Sequence, residues 1–189
     1  TIERHDIGVG TPGKMPLQPG DVVVVSGGAR GVTAETCVEL ARRSGATFLL
    51  LGRSALPEAE PEWLTRLDGE AAIKAALARE IKSATGSPPS PRDIETEFRR
   101  VSAAREIAAT FLRIEEAGGR VLYRALDIRD AAKVRSAVDE ARAMGPVRGI
   151  VHGAGVLADG LILEKTAEQL DLVYDTKVRG LENLLAATE

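Results

Sequence analysis

The chain has 189 residues, 44% of them hydrophobic and 28% charged, and a net charge of −3. This length suits one domain with a sizeable core. An aromatic content of 3%, with no Lys/Arg cluster among the aromatics, argues against nucleic-acid binding. The single cysteine, Cys37, excludes an intrachain disulfide, and no apolar run approaches about 18 residues. We expect a cytoplasmic protein without membrane or metal-binding segments, excerpted from a longer polypeptide because it starts at Thr1.

The N-terminal stretch, residues 1–20, contains three Pro and four Gly without sustained periodicity, so it is predicted to be a linker or an edge segment. Val22 to Val25 then forms an apolar, β-branched run that is typical of a strand buried on both faces. A glycine-rich turn and a helical pattern follow. Strand, glycine turn and helix begin a dinucleotide-binding βαβ unit, in which the helix N-terminus offers N–H groups to a pyrophosphate. The predicted cofactor contacts of this turn are Ser26, Gly27, Gly28, Arg30, Gly31 and Val32.

The first helix is predicted to bury one apolar face and to end at Gly45, a natural C-terminal residue. The residues on that face are Val32, Thr36, Leu40 and Ala41. The run from Thr47 to Leu51 predicts a second buried strand, which is followed by Gly52, Arg53 and Ser54.

The residues after the second strand indicate which dinucleotide binds. A site that prefers NAD places Asp or Glu about 20 residues past the glycine loop, where the carboxylate accepts from the ribose 2′-OH. Arg53 and Ser54 stand there instead. A guanidinium and a hydroxyl suit a 2′-phosphate, so the sequence favours NADP(H), with Arg53 and Ser54 as cofactor contacts.

A long segment separates the second strand from the third. The gap between Leu51 and Val121 is about 69 residues, whereas a short crossover reaches the next strand in roughly 30. Two helical patterns fill the gap, and the second begins with Ser90 as N-cap, Pro91 at the first position and Asp93 at the third. We interpret residues 57–119 as a helical insertion outside the minimal βαβ unit, which contacts a neighbour or caps the sheet.

Two further strands are predicted at residues 120–125 and 147–151, each followed by candidate site residues. Asp127 suits either a cap on the approach to the next helix, which Asp130 begins, or an adenine contact. His152 is expected to be a packed or surface histidine rather than a catalyst. The glycines after it leave room for a ligand against the backbone. The predicted cofactor contacts here are Asp127, Ile128, Gly153, Ala154 and Gly155.

The last helix begins at a capping box formed by Thr166 and Gln169. At 100° per residue, Lys177 falls in the middle of an apolar face, where a desolvated lysine needs a partner that a ligand ribose or carbonyl group could supply. The alternative is a snorkelling lysine at the edge of the apolar stripe. Asn183 is expected to point to the opposite side, into solvent. The residues of the apolar face are Leu170, Val173, Tyr174, Leu181, Leu184 and Leu185.

The alternation of elements, β-α-β-insertion-β-α-β-α, predicts an α/β fold with a Rossmann-like, doubly wound parallel sheet. Four motifs carry a family resemblance: SGGARGVTAE from Ser26, LLLGRS from Leu49, HGAGVLADG from His152 and TKVRGLENLL from Thr176. In this order they resemble the ketoreductase (KR) domains of polyketide and polyunsaturated fatty acid synthases, within the short-chain dehydrogenase/reductase superfamily. The resemblance covers residues 21–189. Thr33 departs from it, because the usual loop pattern has a last glycine there.

The resemblance implies an incomplete KR domain. The family's catalytic Ser, Tyr and Asn would lie further on, in the missing C-terminal part of the fold, whereas Lys177 matches the family's catalytic lysine. The segment from Val156 to Asp159 resembles the Leu-Asp-Asp stereochemical marker, with alanine for the first Asp, so Asp159 is a substrate-side candidate.

The implied function is NADPH-dependent reduction of a 3-oxoacyl group to a 3-hydroxyacyl group. The acyl group would be carried on the phosphopantetheine arm of an acyl carrier protein, with neighbouring synthase domains as further partners. This chain alone would bind cofactor without turning over. Two alternatives stay open: a nucleotide-binding module that never catalyses, and an epimerase or dehydratase of the extended short-chain dehydrogenase type.

Overall fold

The computed structural model describes residues 16–56 and 59–189, so most of the predicted linker, residues 1–15, lies outside the described residues. Its centre is a sheet of four parallel strands in the order β3-β2-β1-β4. The strands are β1 (Val22–Ser26), β2 (Thr47–Gly52), β3 (Arg120–Ala125) and β4 (Val147–His152). From β1 the chain moves outward to β2 and β3 and then returns to the other side of β1 as β4. This is the predicted doubly wound sheet, and the change of direction lies between β1 and β4.

Helices cover both faces of the sheet. They are α1 (Gly31–Ser44), α2 (Glu62–Thr65), α3 (Glu70–Thr85), α4 (Pro91–Glu116), α5 (Ala131–Arg142), α6 (Ala167–Tyr174) and α7 (Gly180–Thr188). A 3₁₀ turn spans Ile162–Glu164, and a π turn at Asp175–Arg179 joins α6 to α7. No helix within the described ranges combines the length and the apolar character needed to cross a membrane.

The first four residues of β1 are valines because both faces of this central strand are covered. Val22 and Val24 pack with α5 and α7 on one face of the sheet, while Val23 and Val25 pack with α1 and α4 on the other. Successive side chains of a strand point to opposite faces, so a central strand covered on both sides buries all of them.

The buried face of α1 differs from the predicted one. Val32 is 85% exposed and Thr36 is exposed. The buried residues are Ala34, Cys37, Val38, Ala41 and Ser44. Small side chains such as Ala34 and Ala41 let the helix approach the sheet closely, whereas Val32 lies in the first turn, at the edge of the sheet rather than over it.

The interpretation of residues 57–119 as lying outside the core needs correction for the second half of α4. Ile107 and Ile114 are 1% and 0% exposed, and they share a core cluster with Phe48 and Leu50 of β2. This half of α4 is the crossover helix of the β2–β3 unit. A separate small cluster joins α2, α3 and the first half of α4; its buried members are Leu64, Ile73, Leu77 and Val101.

The predicted last helix, which begins at Thr166, is interrupted by the π turn. The amide of Gly180 bonds to the carbonyl of Asp175, five residues back. The wider turn rotates the following face, and the residues that it buries are Thr176, Gly180, Leu184 and Ala187. Much of the predicted apolar face, including Leu170, Tyr174 and Leu185, is exposed instead. Lys177 is exposed as well, so the prediction of a desolvated lysine was wrong.

We expect Ile114→Ala to lower the free energy of unfolding by about 2–5 kcal/mol, because it opens a cavity in the core between α4 and the sheet. Leu112→Ala is the matched control, since Leu112 lies on the same helix and is 60% exposed. Urea denaturation of the two variants measures the difference. Equal small losses would mean that α4 is peripheral.

Candidate functional site

The four loops that follow the strands meet at the carboxyl edge of the sheet. Ser26 at the end of β1 is in register with Leu51 of β2 and with His152 of β4, so these loops leave the sheet at the same level. Between them lies a cleft of about 390 Å³. Of the predicted site residues, those that line it are Gly27, Arg30, Gly31, Arg53, Ser54, Asp127, Ile128, Gly153, Ala154 and Gly155. Ligands of doubly wound folds bind in such a crevice, where the strand order reverses.

The glycine turn after β1 packs directly on the loop after β4. A Cβ at Gly27 would lie 2.8 Å from the amide nitrogen of Ala154, and Gly27 has a φ of +69° that disfavours other residues. A Cβ at Gly153 would overlap the Thr33 hydroxyl. Thr33 replaces a glycine of the usual loop pattern, and the missing side chain of Gly153 gives it room.

The N-terminus of α1 faces the cleft, and a carboxylate from α4 already lies on it. The amide of Gly31 donates to Oε1 of Glu106, 3.1 Å away. Glu106 lines the cleft together with Ile107. No sequence pattern indicated this contact, because α4 was interpreted as lying outside the βαβ unit.

Tyr123 shapes the loop after β2. Its hydroxyl donates to the carbonyl oxygen of Ser54 at 2.6 Å, and a Cβ at Gly52 would lie 2.7 Å from that hydroxyl. Burial raises the pKa of Tyr123, so the hydroxyl keeps its proton and donates. The sequence analysis missed this tyrosine, because its contact with the loop after β2 depends on the pairing of β3 with β2.

Asp127, after β3, is held by Arg129. The Arg129 guanidinium lies 2.6 Å from Oδ2 of Asp127, and the Arg129 amide donates to Oδ1 at 3.0 Å. These contacts lower the pKa of Asp127 to about 2, so the carboxylate is ionised at neutral pH. Asp127 thus caps the turn on the approach to α5, through the amide of Arg129. The N-cap of α5 itself is Asp130, which accepts from the amide of Lys133.

A hydrogen-bonded chain connects the loops after β1 and β4 with the π turn. The amide of Ala154 donates to Ser26 Oγ at 3.3 Å, Ser26 Oγ lies 2.6 Å from His152 Nδ1, and His152 Nε2 lies 3.0 Å from the carbonyl oxygen of Lys177. Ser26 is 1% exposed. His152, predicted to be a packed or surface histidine, is half-buried and makes a hydrogen bond through each ring nitrogen.

Lys177 lies beside the loop after β4 although its side chain is exposed. A methyl group at Gly155 would lie 3.0 Å from Lys177 Cε and 3.3 Å from its Nζ, which puts the ammonium at the rim of the cleft. Asn183 does not point into solvent as predicted: its amide donates to the carbonyl of Ile128 at 3.0 Å and so ties α7 to the loop after β3.

Two predicted residues lie away from the cleft. Val32 borders a shallow groove between α1 and α4, with Glu35 and Arg113. Asp159 is exposed in the loop that follows β4 and is not part of the cleft lining. Ser26 and Gly28 lie beneath the surface of the cleft. A Cβ at Gly28 would lie 2.5 Å from Val25 Cγ1. Among the described residues there is no group of three or more His, Cys, Asp or Glu side chains placed to hold a metal ion.

Comparison with solved structures places this geometry among known folds. An N-terminal ketoreductase from the macrolactin assembly line aligns with a TM-score of 0.62 and 22% identity, over 93% of this chain and 27% of the other. A ketoreductase domain from the bacillaene assembly line aligns with a TM-score of 0.60 and 25% identity, over 92% and 31%. Carveol dehydrogenase from Mycobacterium avium, in complex with NAD, aligns with a TM-score of 0.59 and 21% identity, over 90% of this chain and 48% of the other.

Sequence comparison identifies the family. A polyunsaturated fatty acid synthase subunit from Thraustochytrium sp. is 42% identical over 192 residues, which cover 98% of this chain and 7% of the relative. A phenolphthiocerol synthesis polyketide synthase of Mycobacterium marinum is 37% identical over 120 residues, 62% of this chain and 5% of the relative. The chain thus spans a small part of these relatives. The family model described as "KR domain" matches residues 21–189. The chain therefore belongs to the ketoreductase (KR) domain family.

Proposed function

We propose that this chain binds NADPH across the β1–β4 crevice and forms the cofactor-binding part of a ketoreductase. The reaction is reduction of a 3-oxoacyl group to a 3-hydroxyacyl group. The observation that carries the proposal is the glycine turn from Gly27 to Gly31. It places the N-terminus of α1 at a cleft that the loops after the other three strands also line. Amides at a helix N-terminus and a close backbone suit a pyrophosphate.

The cationic side chains of the cleft support NADPH rather than NADH. Arg53 and Ser54 follow β2, and Arg30 lies across the same cleft. A guanidinium can bind a 2′-phosphate through two parallel hydrogen bonds, and the Ser54 hydroxyl adds a further donor. Tyr123 holds the Ser54 carbonyl and thereby keeps this loop in place.

Lys177 is the catalytic residue of this chain in the proposed reaction. NADPH, when bound, supplies the hydride for the β-carbon. The Lys177 ammonium, at the rim beside Gly155, would bind the ribose next to the nicotinamide. It would also lower the pKa of a tyrosine hydroxyl that donates the proton to the carbonyl oxygen. That tyrosine belongs to the family pattern beyond these residues, so this chain alone binds cofactor without turnover.

The proposed substrate is an acyl chain on the phosphopantetheine arm of an acyl carrier protein. Support comes from the relatives, which are large synthases of which this chain matches 7% or less. A domain in such an assembly has neighbouring synthase domains as partners, and its substrate arrives on a carrier. Asp159, exposed on the loop after β4, is proposed to face that substrate.

We expect Arg53→Ala to weaken NADPH binding about 10- to 100-fold, the value of a charge-assisted hydrogen bond of roughly 1.5–3 kcal/mol, and to leave NADH binding little changed. Titration of both cofactors into the 189-residue chain measures this. Arg79→Ala removes an arginine of α3 that lies outside the cleft, and it should change neither affinity. Equal losses for NADPH and NADH would contradict recognition of the 2′-phosphate.

We expect Glu106→Gln to strengthen NADPH binding about two- to fivefold. The carboxylate occupies an amide at the N-terminus of α1, and an anion at such a place is worth about 0.3–1 kcal/mol, for which a pyrophosphate has to compete. Glu115→Gln removes the same charge from the last turn of α4 and should have no effect. Weaker binding by Glu106→Gln would show that Glu106 contacts the cofactor itself.

Lys177→Met tests catalysis against mere binding. In a synthase polypeptide that carries this domain with its tyrosine, the variant should lower kcat by about 10²-fold or more, the scale of general acid catalysis. Its free energy of unfolding should stay unchanged, since the Lys177 side chain is exposed. Lys82→Met, on an exposed position of α3, is the control. Full activity of Lys177→Met would contradict a catalytic role for Lys177.

A further inference from the structure

We propose that His152 is a positioning residue: as a neutral imidazole with its proton on Nε2, it holds the π turn that presents Lys177 at the rim of the cleft. The consequence for turnover rests on the function proposed above, because it assumes that Lys177 acts in the reduction. The placement of the π turn itself can be measured without turnover.

The hydrogen-bond chain permits one arrangement of protons. The carbonyl oxygen of Lys177 can only accept, so His152 Nε2 must donate to it across 3.0 Å. In a neutral ring Nδ1 is then an acceptor, and Ser26 Oγ donates to it across 2.6 Å. The lone pairs of Ser26 Oγ are left to accept the amide of Ala154 at 3.3 Å. Every polar atom in the chain has a partner of the right kind.

The surroundings of His152 favour the neutral ring. Burial lowers the pKa of His152, and the positive charge of Lys177 acts in the same direction, although the bonds to the backbone of the π turn oppose them. A second proton on Nδ1 would also break the pattern, because Ser26 Oγ would then accept from both Nδ1 and the amide of Ala154, and its own hydrogen would need another acceptor.

The π turn makes the Lys177 carbonyl reachable. Gly180 bonds back to Asp175, five residues away rather than four, and such a widened turn takes carbonyls out of the regular helical ladder. A Cβ at Gly180 would lie 3.3 Å from His152 Cε1, so glycine leaves the ring room to enter. One bond from His152 therefore fixes the carbonyl, and with it the direction in which the Lys177 side chain leaves the helix toward Gly155.

The substitutions His152→Gln and His152→Asn test the two hydrogen bonds of the imidazole separately. Gln at position 152 can place an amide N–H near the site of Nε2 and keep the bond to the Lys177 carbonyl. Asn can place its amide near the site of Nδ1 and keep the bond to Ser26. Phe fills the volume and keeps neither. A residue that merely packs would tolerate Phe best, whereas a residue that holds the π turn needs the donor of Gln.

The first measurement uses the unmodified 189-residue chain. It contains two histidines, His5 and His152, so long-range ¹⁵N–¹H NMR spectra with His5→Asn for assignment report the tautomer of His152 directly. We expect a protonated Nε2 and an unprotonated Nδ1 at neutral pH, with the Nδ1 shift changed by Ser26→Ala. A proton on Nδ1 would overturn the proposal, and this test does not require any position-152 variant to fold.

The second measurement is hydrogen exchange of the Gly180 amide, which reports on the π turn. His152→Asn and His152→Phe should exchange this amide at least tenfold faster than His152→Gln, relative to the core amide of Leu184 in each variant. The same exchange rate in all three, or the slowest rate in Phe, would overturn the proposal. This readout does not depend on ketoreductase activity.

Turnover then connects the π turn to chemistry. In the synthase polypeptide, His152→Asn and His152→Phe should lower kcat by about 10- to 100-fold, the scale of a misplaced catalytic group. Their KM for NADPH should be little changed. His152→Gln should keep most of kcat. If Lys177→Met leaves kcat intact while the exchange order holds, the proposed catalytic function fails and the positioning of the turn stands. If Lys177→Met abolishes turnover and the three position-152 variants are alike in kcat, the positioning role is overturned.

Discussion

The cleft depends on the close approach of two glycine-containing loops at the point where the strand order reverses. Gly27 leaves no space for a side chain against Ala154, and Gly153 leaves none against Thr33. Any Cβ at either glycine would push the loops after β1 and β4 apart. Because β1 lies between β2 and β4, that displacement would also shift the loop that carries Arg53. The contact between backbones thus positions the whole carboxyl edge.

The net positive charge of the cleft is smaller than the number of its arginines suggests. Arg129 is neutralised by Asp127, whose pKa falls to about 2 in that pair. Glu106 lies on the Gly31 amide. Arg30 and Arg53 also line the cleft, and they lie on the loops after β1 and β2, where the adenosine half of a dinucleotide would lie in this fold. These two loops are the ones assigned above to the proposed NADPH contact.

Features set by local chemistry were predictable from the sequence. The buried run from Val22 to Val25 is a strand, and the capping box of Ser90 and Asp93 begins α4. Predictions failed where the answer depends on distant contacts. The π turn lies where His152 and Ile128 approach Gly180, and the periodicity of an ideal helix does not reveal it. Ten of the predicted cofactor contacts line the cleft. Glu106, Tyr123 and Arg129 also line it, but their positions depend on how the elements pack in the tertiary structure.

The helical segment, residues 57–119, also bears on the proposed cofactor site. Arg113 binds Glu35 of α1 through two contacts of 2.6 Å, but an exposed ion pair contributes little stability. Burial of Ile107, 1% exposed and one residue beyond Glu106, is the stronger constraint. Because Ile107 is fixed in the core, its neighbour is held at the N-terminus of α1 whatever the outer helices α2 and α3 do. The carboxylate at the anion site is therefore part of the rigid βαβ unit, and the outer part of the segment can vary without disturbing it.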